Sequence, residues 1–301
     1  MTNAIEIQSV HRSYGRVVAL DDVNLTVPEE SICGLLGRNG AGKTTIMSIL
    51  SGQDRPSRGS VKVVGQQPFE NQSVLSQVSF VRDNQRYPHN YHLHQILRIA
   101  PSFYPYWSKE LADELVAGFG IPHETPVRKF SRGELSAVAI VLGLASRSPV
   151  TLLDEPYLGL DVTARGYFHD MLLRDYIASP RTIILSTHLI EESERLFDRV
   201  VVVDRGKIQV EASIDDVRQL AYTVSGAADA VDAFASGRTV LKTHGVTNLK
   251  SATIEGTVTE QIEAHATSLG ARVSPVSLQE LVEVFGTSTD QPGKSMKGQH
   301  V

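Results

Sequence analysis

One stretch constrains this chain more than any other: Gly37-Arg38-Asn39-Gly40-Ala41-Gly42-Lys43-Thr44-Thr45 follows the pattern G-x-x-x-x-G-K-[ST]. Ser31 to Leu36 before it is almost entirely apolar and reads as a strand. Thr44 to Leu50 after it sets Ile46, Ile49 and Leu50 at helical spacing and stops at Gly52. In a strand, turn and helix of this kind the glycines let the backbone curl, several N–H groups point at phosphate oxygens, and the helix presents its positive end to them. The pattern places the Lys43 ammonium across the β- and γ-phosphates of a nucleotide and offers the Thr44 hydroxyl to Mg²⁺.

A second element completes that chemistry. Leu152-Leu153-Asp154-Glu155-Pro156 is an apolar strand delivering two acids at its C-terminal end, where open α/β sheets bind their ligands. Asp154 is expected to hold Mg²⁺, directly or through water, and Glu155 to act as general base toward an attacking water.

The rest of the chain reads as an α/β core with additions. Ile5–Val10, Val17–Leu20 and Val23–Val27 suggest an N-terminal run of strands, with Ser60–Val64 a further one. Val150–Leu153, Thr182–Leu185 and Val200–Val203 are short, apolar and largely β-branched, as in parallel strands buried on both faces. Between about residues 89 and 145 the pattern turns helical, broken by Pro101, Pro105, Pro122 and Pro126, which predicts an insert of several short helices. Beyond Ser213, strands over Tyr222–Val224, Thr239–Thr243, Leu249–Ile254 and Arg272–Val276 alternate with helical stretches around Val231–Phe234 and Val258–Leu269. The last helix is the clearest: Leu278, Leu281, Val282 and Phe285 share one face, and Ser277 with Glu280 forms a capping-box pattern.

Composition narrows the class. At 301 residues, 41% hydrophobic and 21% charged, with 23 Gly and 13 Pro, the chain is globular and long enough for about two domains. Its 29 Lys and Arg against 34 Asp and Glu leave a charge of −5, so no basic excess points to nucleic acid. The longest apolar stretch, Ala137–Ala145, is far short of the roughly 20 residues needed to span a bilayer, and the N-terminus does not read as a signal peptide. A single cysteine, Cys33, cannot form an internal disulfide and reads as a small buried hydrophobe of a reducing compartment.

Phe130-Ser131-Arg132-Gly133-Glu134 lies upstream of the acid pair at the start of an apolar helix. Ser131 and Glu134 also form a capping box that any helix could use. With the motifs in this order, the chain resembles the nucleotide-binding subunit of an ATP-binding cassette (ABC) transporter over about residues 3 to 212. The resemblance implies a P-loop cassette: a RecA-like parallel-sheet core, an N-terminal antiparallel β subdomain and an α-helical insert. The chain adds a small α+β C-terminal domain. The expected domains are 1–212 for the cassette, with the insert at about 89–145, then 213–286 for a small ferredoxin-like domain and 287–301 for a flexible tail.

The resemblance also implies roles for single residues. Ser131 and Gly133 match the family's Leu-Ser-Gly-Gly-Gln signature, which contacts the γ-phosphate held by the opposing cassette of a dimer; Phe130, Arg132 and Glu134 depart from it. Asp161, after Leu160, matches the loop that meets the partner near its phosphate loop. His188, in Ser186-Thr187-His188, matches the switch histidine that reaches a γ-phosphate. Tyr14 matches the aromatic that stacks on adenine, although an ordinary sheet tyrosine fits as well. At the glutamine loop, Val78 to Arg82 leads into Asp83 rather than Gln, with Gln85 two positions on; Asp83 is taken as the Mg²⁺ ligand. Glu30 stands where the family has Gly.

His89, His92 and His94 do not share one helical face and are not read as a metal site. Phe103-Tyr104-Pro105-Tyr106-Trp107 in the insert, together with Asp83, resembles type-2 exporter ATPases of the bacitracin-resistance or acetoin-utilisation kind. The implied function is ATP hydrolysis, with Mg²⁺, between two cassettes at the cytoplasmic face of the membrane, powering an integral membrane subunit that moves the cargo. The alternative is a soluble ABC-type ATPase that remodels a cytosolic complex; members of that kind usually carry two cassettes, and this chain has one phosphate loop and one acid pair. A P-loop kinase or nucleotide switch predicts neither the signature nor an acid after Asp154.

Overall fold

The computed structural model describes residues 2–82 and 85–286, with the backbone alone of 296–297. Asp83 and, apart from that short backbone, the expected tail over 287–301 lie outside the described residues.

Two long antiparallel strands open the chain, β1 (Asn3–Tyr14) and β2 (Val17–Pro28). The expected pair Val17–Leu20 and Val23–Val27 is one strand. Asp22 takes a left-handed φ of 55° and the pairing with β1 slips there, so the polar Asp21-Asp22 step that looks like a turn is a bulge. Next come β3 (Ile32–Leu36), α1 (Lys43–Leu50) and β4 (Arg58–Val63), which pairs with the other side of β1 to complete a three-stranded antiparallel sheet. A short α2 (Gln72–Leu75) leads to β5 (Val78–Arg82).

The insert follows as α3 (Leu93–Ile99) and α4 (Lys109–Phe119), then α5 (Arg132–Ala145) returns the chain to the core. From Ser136 to Ala145 every residue of α5 is buried, against β5, β6 and the insert. That explains an apolar run without a polar face. Then come β6 (Val150–Asp154), α6 (Val162–Ala178), β7 (Thr182–Thr187), α7 (Ile190–Ser193), β8 (Arg199–Asp204) and β9 (Lys207–Ser213).

The main sheet has the order β9-β8-β3-β7-β6-β5. Its pairs are parallel except that of β8 with β9, which is antiparallel, so the core sheet is mixed at one edge. The Met296–Lys297 backbone adds in parallel outside β9. All residues of β3, β6 and β7 are buried, consistent with layers on both faces. The in-register pairs Leu36 with Thr187 and Asp154 with Ser186 bring the C-terminal ends of these three strands to one edge. Every loop that carries a candidate phosphate contact after a core strand leaves from that edge.

After α8 (Ile214–Val217) the C-terminal part runs β10 (Ala221–Ala227), α9 (Ala228–Ala235), β11 (Val240–Val246), β12 (Leu249–Glu255), α10 (Glu260–Ser268) and β13 (Arg272–Pro275). Its antiparallel sheet has the order β11-β12-β10-β13, a split β-α-β arrangement. The helix expected over Val258–Leu269 starts later because the Thr259 side chain caps it by accepting from the Ile262 N–H. The final helix, α11 (Leu278–Phe285), packs against α7 and β8 through a face that includes Leu278, Leu281 and Val282. Only half of its expected capping box forms: Ser277 accepts from the Glu280 N–H, but the Glu280 carboxylate is taken by the Thr253 hydroxyl at 2.7 Å and by Thr223. Among the described residues no helix is long and apolar enough to cross a membrane.

Candidate functional site

The turn from β3 to α1 is built on glycine at two places where a side chain has no room. Gly37 takes φ 144°, and a Cβ there would fall 2.2 Å from the Val203 carbonyl oxygen; Gly42 takes φ 115°, and its Cβ would meet the Ala19 oxygen at 2.9 Å. Ala41 is buried, whereas Arg38, Asn39, Gly40 and Thr44 are exposed and Thr45 is half-buried. Inside the turn the Lys43 ammonium donates to the Gly37 carbonyl at 2.8 Å and the Arg38 carbonyl at 3.2 Å. Burial pulls the Lys43 pKa below its ordinary value, and the nearby Glu155 and Asp154 carboxylates work against that shift.

Asp154, at the end of β6, is held by two hydroxyls. Thr44 donates to its Oδ2 at 2.8 Å and Ser186 to its Oδ1 at 2.6 Å, which ties the phosphate loop, the acid pair and the end of β7 together. Glu155 takes φ 48°, a strained conformation for a residue with a side chain. Its N–H donates to the Ser186 carbonyl at 3.2 Å. Its Oε2 lies 2.7 Å from His188 Nδ1 and also receives the His188 N–H at 3.4 Å, while Oε1 is buried without a hydrogen-bond partner. Lys43, Thr44, Asp154, Glu155 and His188 thus form one constellation at the strand ends.

Ser131, Gly133 and Asp161 form a second group. Ser131 caps α5 in a closed capping box with Glu134: the Glu134 N–H donates to Ser131 Oγ and the Ser131 N–H to the Glu134 carboxylate. Gly133 is packed against the loop after the acid pair, since a Cβ there would lie 2.7 Å from the Gly159 oxygen. Asp161 caps α6 by accepting from the Ala164 N–H at 2.8 Å. Among the described residues no hydrogen bond joins Ser131 or Asp161 to the phosphate loop.

Tyr14 stands at the end of β1 with 47% of its surface exposed. Its hydroxyl donates to Asp54 Oδ2 at 2.5 Å, and the Arg12 guanidinium carbon lies 4.5 Å from the ring centroid while that side chain pairs with the same carboxylate. Burial alone would raise the Asp54 pKa, but the bonds from Tyr14, the Arg55 N–H and Arg12 outweigh it and hold the carboxyl below its usual range.

Asp83 lies outside the described residues; the Oε1 of neighbouring Gln85 is buried without a partner. The His92 and His94 rings stack at 5.7 Å, and among the described residues no group of three or more His, Cys, Asp or Glu is arranged to hold a metal. Burial pushes the Cys33 thiol up to about 12.

Three contributors have no motif of their own in the sequence. Ser186 is visible there only as a neighbour of His188 in Ser186-Thr187-His188, with no role of its own. Arg12 and Asp54 are 42 positions apart in sequence, and nothing in either neighbourhood marks the pair.

A phosphate loop between a strand and a helix, beside an acid pair, on a mixed sheet with an antiparallel β subdomain, defines a nucleotide-binding P-loop protein of the cassette type. Residues 20–158 match the family described as ABC transporter. The chain is 30% identical over 226 residues to the bacitracin transport ATP-binding protein BcrA of Bacillus licheniformis, covering 73% of this chain and 72% of that one. It is also 30% identical over 214 residues to the Nod factor export ATP-binding protein I of Sinorhizobium fredii, covering 69% of this chain and 62% of that protein's length. Among solved structures, an ATP-binding subunit of an ABC transporter superposes with a TM-score of 0.65 at 26% identity, over 72% of this chain and 92% of that one. A bacterial Atm1-family ABC exporter with ATP bound shares the fold, with a TM-score of 0.61 at 24% identity over 71% of this chain and 39% of that one. The chain belongs to the ATP-binding subunit family of ABC transporters.

Proposed function

We propose that this chain binds and hydrolyses ATP, paired with a second cassette, and that closure of the pair drives an integral membrane subunit that exports its cargo. The observation that carries the reading is the Thr44 hydroxyl on Asp154 at 2.8 Å, with Glu155 and His188 joined beside it. Residues suited to contact phosphate, to bind a metal and to act as a base stand together there, which a structural turn does not need.

In this reading the backbone of Gly37–Thr45 and the Lys43 ammonium hold the phosphates, and Tyr14 stacks on the adenine with Asp54 and Arg12 fixing its ring. Thr44 and Asp154 supply the oxygen donors that suit Mg²⁺, a cation that takes one or two protein ligands and completes its shell with phosphates and water. Held there, Mg²⁺ would supply charge neutralisation at the phosphates. Glu155 accepts the proton of the attacking water, and its Oε1 makes no hydrogen bond that would compete for that role. His188 keeps Nδ1 on Glu155 and thereby turns Nε2 toward the γ-phosphate. Ser131, Gly133 and Asp161 act across the dimer on the partner's nucleotide, in keeping with Ser131 and Asp161 bonding, among the described residues, only to their own helix starts.

The export assignment rests on the sequence resemblance and on relatives named for Nod factor export and bacitracin transport. The domain division at about residues 212 and 213, and a site of action at the cytoplasmic face of the membrane, belong to the same proposal. Purification from solubilised membranes, with cross-linking from cysteines placed along residues 89–130, tests it. Capture of an integral membrane chain is expected. Repeated capture of soluble chains, with none from the membrane fraction, would contradict the proposal.

A further inference from the structure

Close in sequence to Glu155 and His188 lies a second, buried polar chain. Tyr157, two residues after Glu155, is 1% exposed, and its hydroxyl lies 3.2 Å from Ser193 Oγ. Ser193, on α7 five residues after His188, is itself 0% exposed and lies 3.5 Å from Nε2 of His169, a buried residue of α6. The Tyr157 ring stands edge-on to His169 at 5.8 Å and leans on Phe168 at 5.7 Å. Thr187, directly before His188, closes the turn that carries the imidazole by accepting the Leu189 N–H at 2.8 Å.

These polar groups sit where an apolar set would pack as well. Buried hydroxyls must find partners, and here the partners belong to three different elements: the loop after β6, α7 and α6. Such a bond specifies register. Successive residues of a helix are about 1.5 Å apart along its axis, so a slip of α7 by one residue separates Ser193 from Tyr157 and carries His188 away with it. Glu155 already occupies a strained backbone conformation, which persists only where its surroundings over-determine it.

We propose that Tyr157 and Ser193 are positioning residues that lock the His188 loop to the Glu155 loop, setting the approach of carboxylate and imidazole needed for hydrolysis. This rests on the catalytic reading of Glu155 and His188 given above. Neither positioning residue touches substrate; the effect passes through α7. A displacement of about 1 Å at a reacting group can cost up to 10²-fold in rate, so loss of one of several restraints is expected to cost about tenfold.

The test compares the parent chain with Tyr157→Phe, Ser193→Ala, the double variant and Glu155→Gln. Steady-state ATP hydrolysis is measured with saturating Mg²⁺, and the His188 tautomer is read by ¹⁵N NMR of the imidazole. Tyr157→Phe and Ser193→Ala are each expected to lower kcat about tenfold with KM for ATP within twofold, and to shift His188 away from the Nδ1-protonated form that Glu155 selects. The double variant is expected to be no slower than the slower single variant, because both remove the same link. If Glu155→Gln abolishes hydrolysis while both single variants keep the parental kcat and tautomer, the positioning role is overturned and the catalytic reading stands. Single-variant effects that multiply in the double variant also overturn the shared link. If Glu155→Gln hydrolyses at the parental rate, the catalytic reading fails and the positioning role with it.

Discussion

The Glu155 carboxylate and the His188 imidazole meet at 2.7 Å, Oε2 to Nδ1, although they lie on different strand-end loops 33 residues apart in sequence. The contact orients both groups. His188→Ala is therefore expected to lower ATP hydrolysis about 10²-fold, by removing a donor to the phosphate and releasing Glu155, while ATP affinity stays within about threefold. Parallel binding and turnover measurements check this; a comparable fall in affinity would make His188 a general binding residue.

Tyr14→Ala is expected to weaken ATP binding about tenfold, within the roughly 1–3 kcal/mol that stacking of a base on an aromatic contributes, and Tyr14→Trp to be tolerated. Asp54→Asn should cost less, because the ring remains while one of its restraints weakens. Inorganic triphosphate is the control ligand. Its affinity should be unchanged in all three variants, and a parallel loss would place Tyr14 in the sheet's stability rather than at the base.

Gly37→Ala is expected to abolish nucleotide binding with much of the fold retained, because its Cβ would be driven into the Val203 carbonyl at 2.2 Å and the turn would have to open. Gly40→Ala, at φ 80° but with no atom within 4 Å of its Cβ, should be milder. Equal affinities for ATP in the two variants would contradict the geometry of the loop.

Acid sensitivity is expected from His169. Burial lowers its pKa from 6.5 to about 4, so the unfolded chain binds a proton between those values that the folded chain does not. Stability therefore falls as pH drops from about 6.5 toward 4, by at most about 1.4 kcal/mol per pH unit from this group, and levels off below. Urea denaturation at pH 7 and pH 5 should show a smaller loss for His169→Gln than for the parent. An identical loss would mean that His169 is not held neutral.

The core of the fold was legible because its strands carry two kinds of local signal: unbroken apolar runs for β3, β6, β7 and β8, and motif residues fixed to their ends. Lys43, Thr44, Asp154 and Glu155 could be read for the same reason, since spacing to a strand end settles their position. Asp22 misled, because a polar pair inside a bulged strand has the composition of a turn. Glu280 misled in the other direction: a local capping partner was present in sequence, but Thr253 on a neighbouring strand took the carboxylate. Tyr157, Ser193 and Asp54 were invisible because their partners come from distant elements, and no local spacing encodes such meetings.

The central claim is that the phosphate loop and acid pair hydrolyse ATP with Glu155 as base, and Glu155→Gln tests it most directly because it keeps the side-chain shape and removes the proton acceptor. Hydrolysis and ATP binding should be measured on the same preparation with Mg²⁺ present. The account predicts a 10²- to 10⁴-fold fall in turnover with ATP binding retained and the nucleotide-bound dimer easier to trap. Turnover within about threefold of the parent, with ATP bound normally, would contradict it.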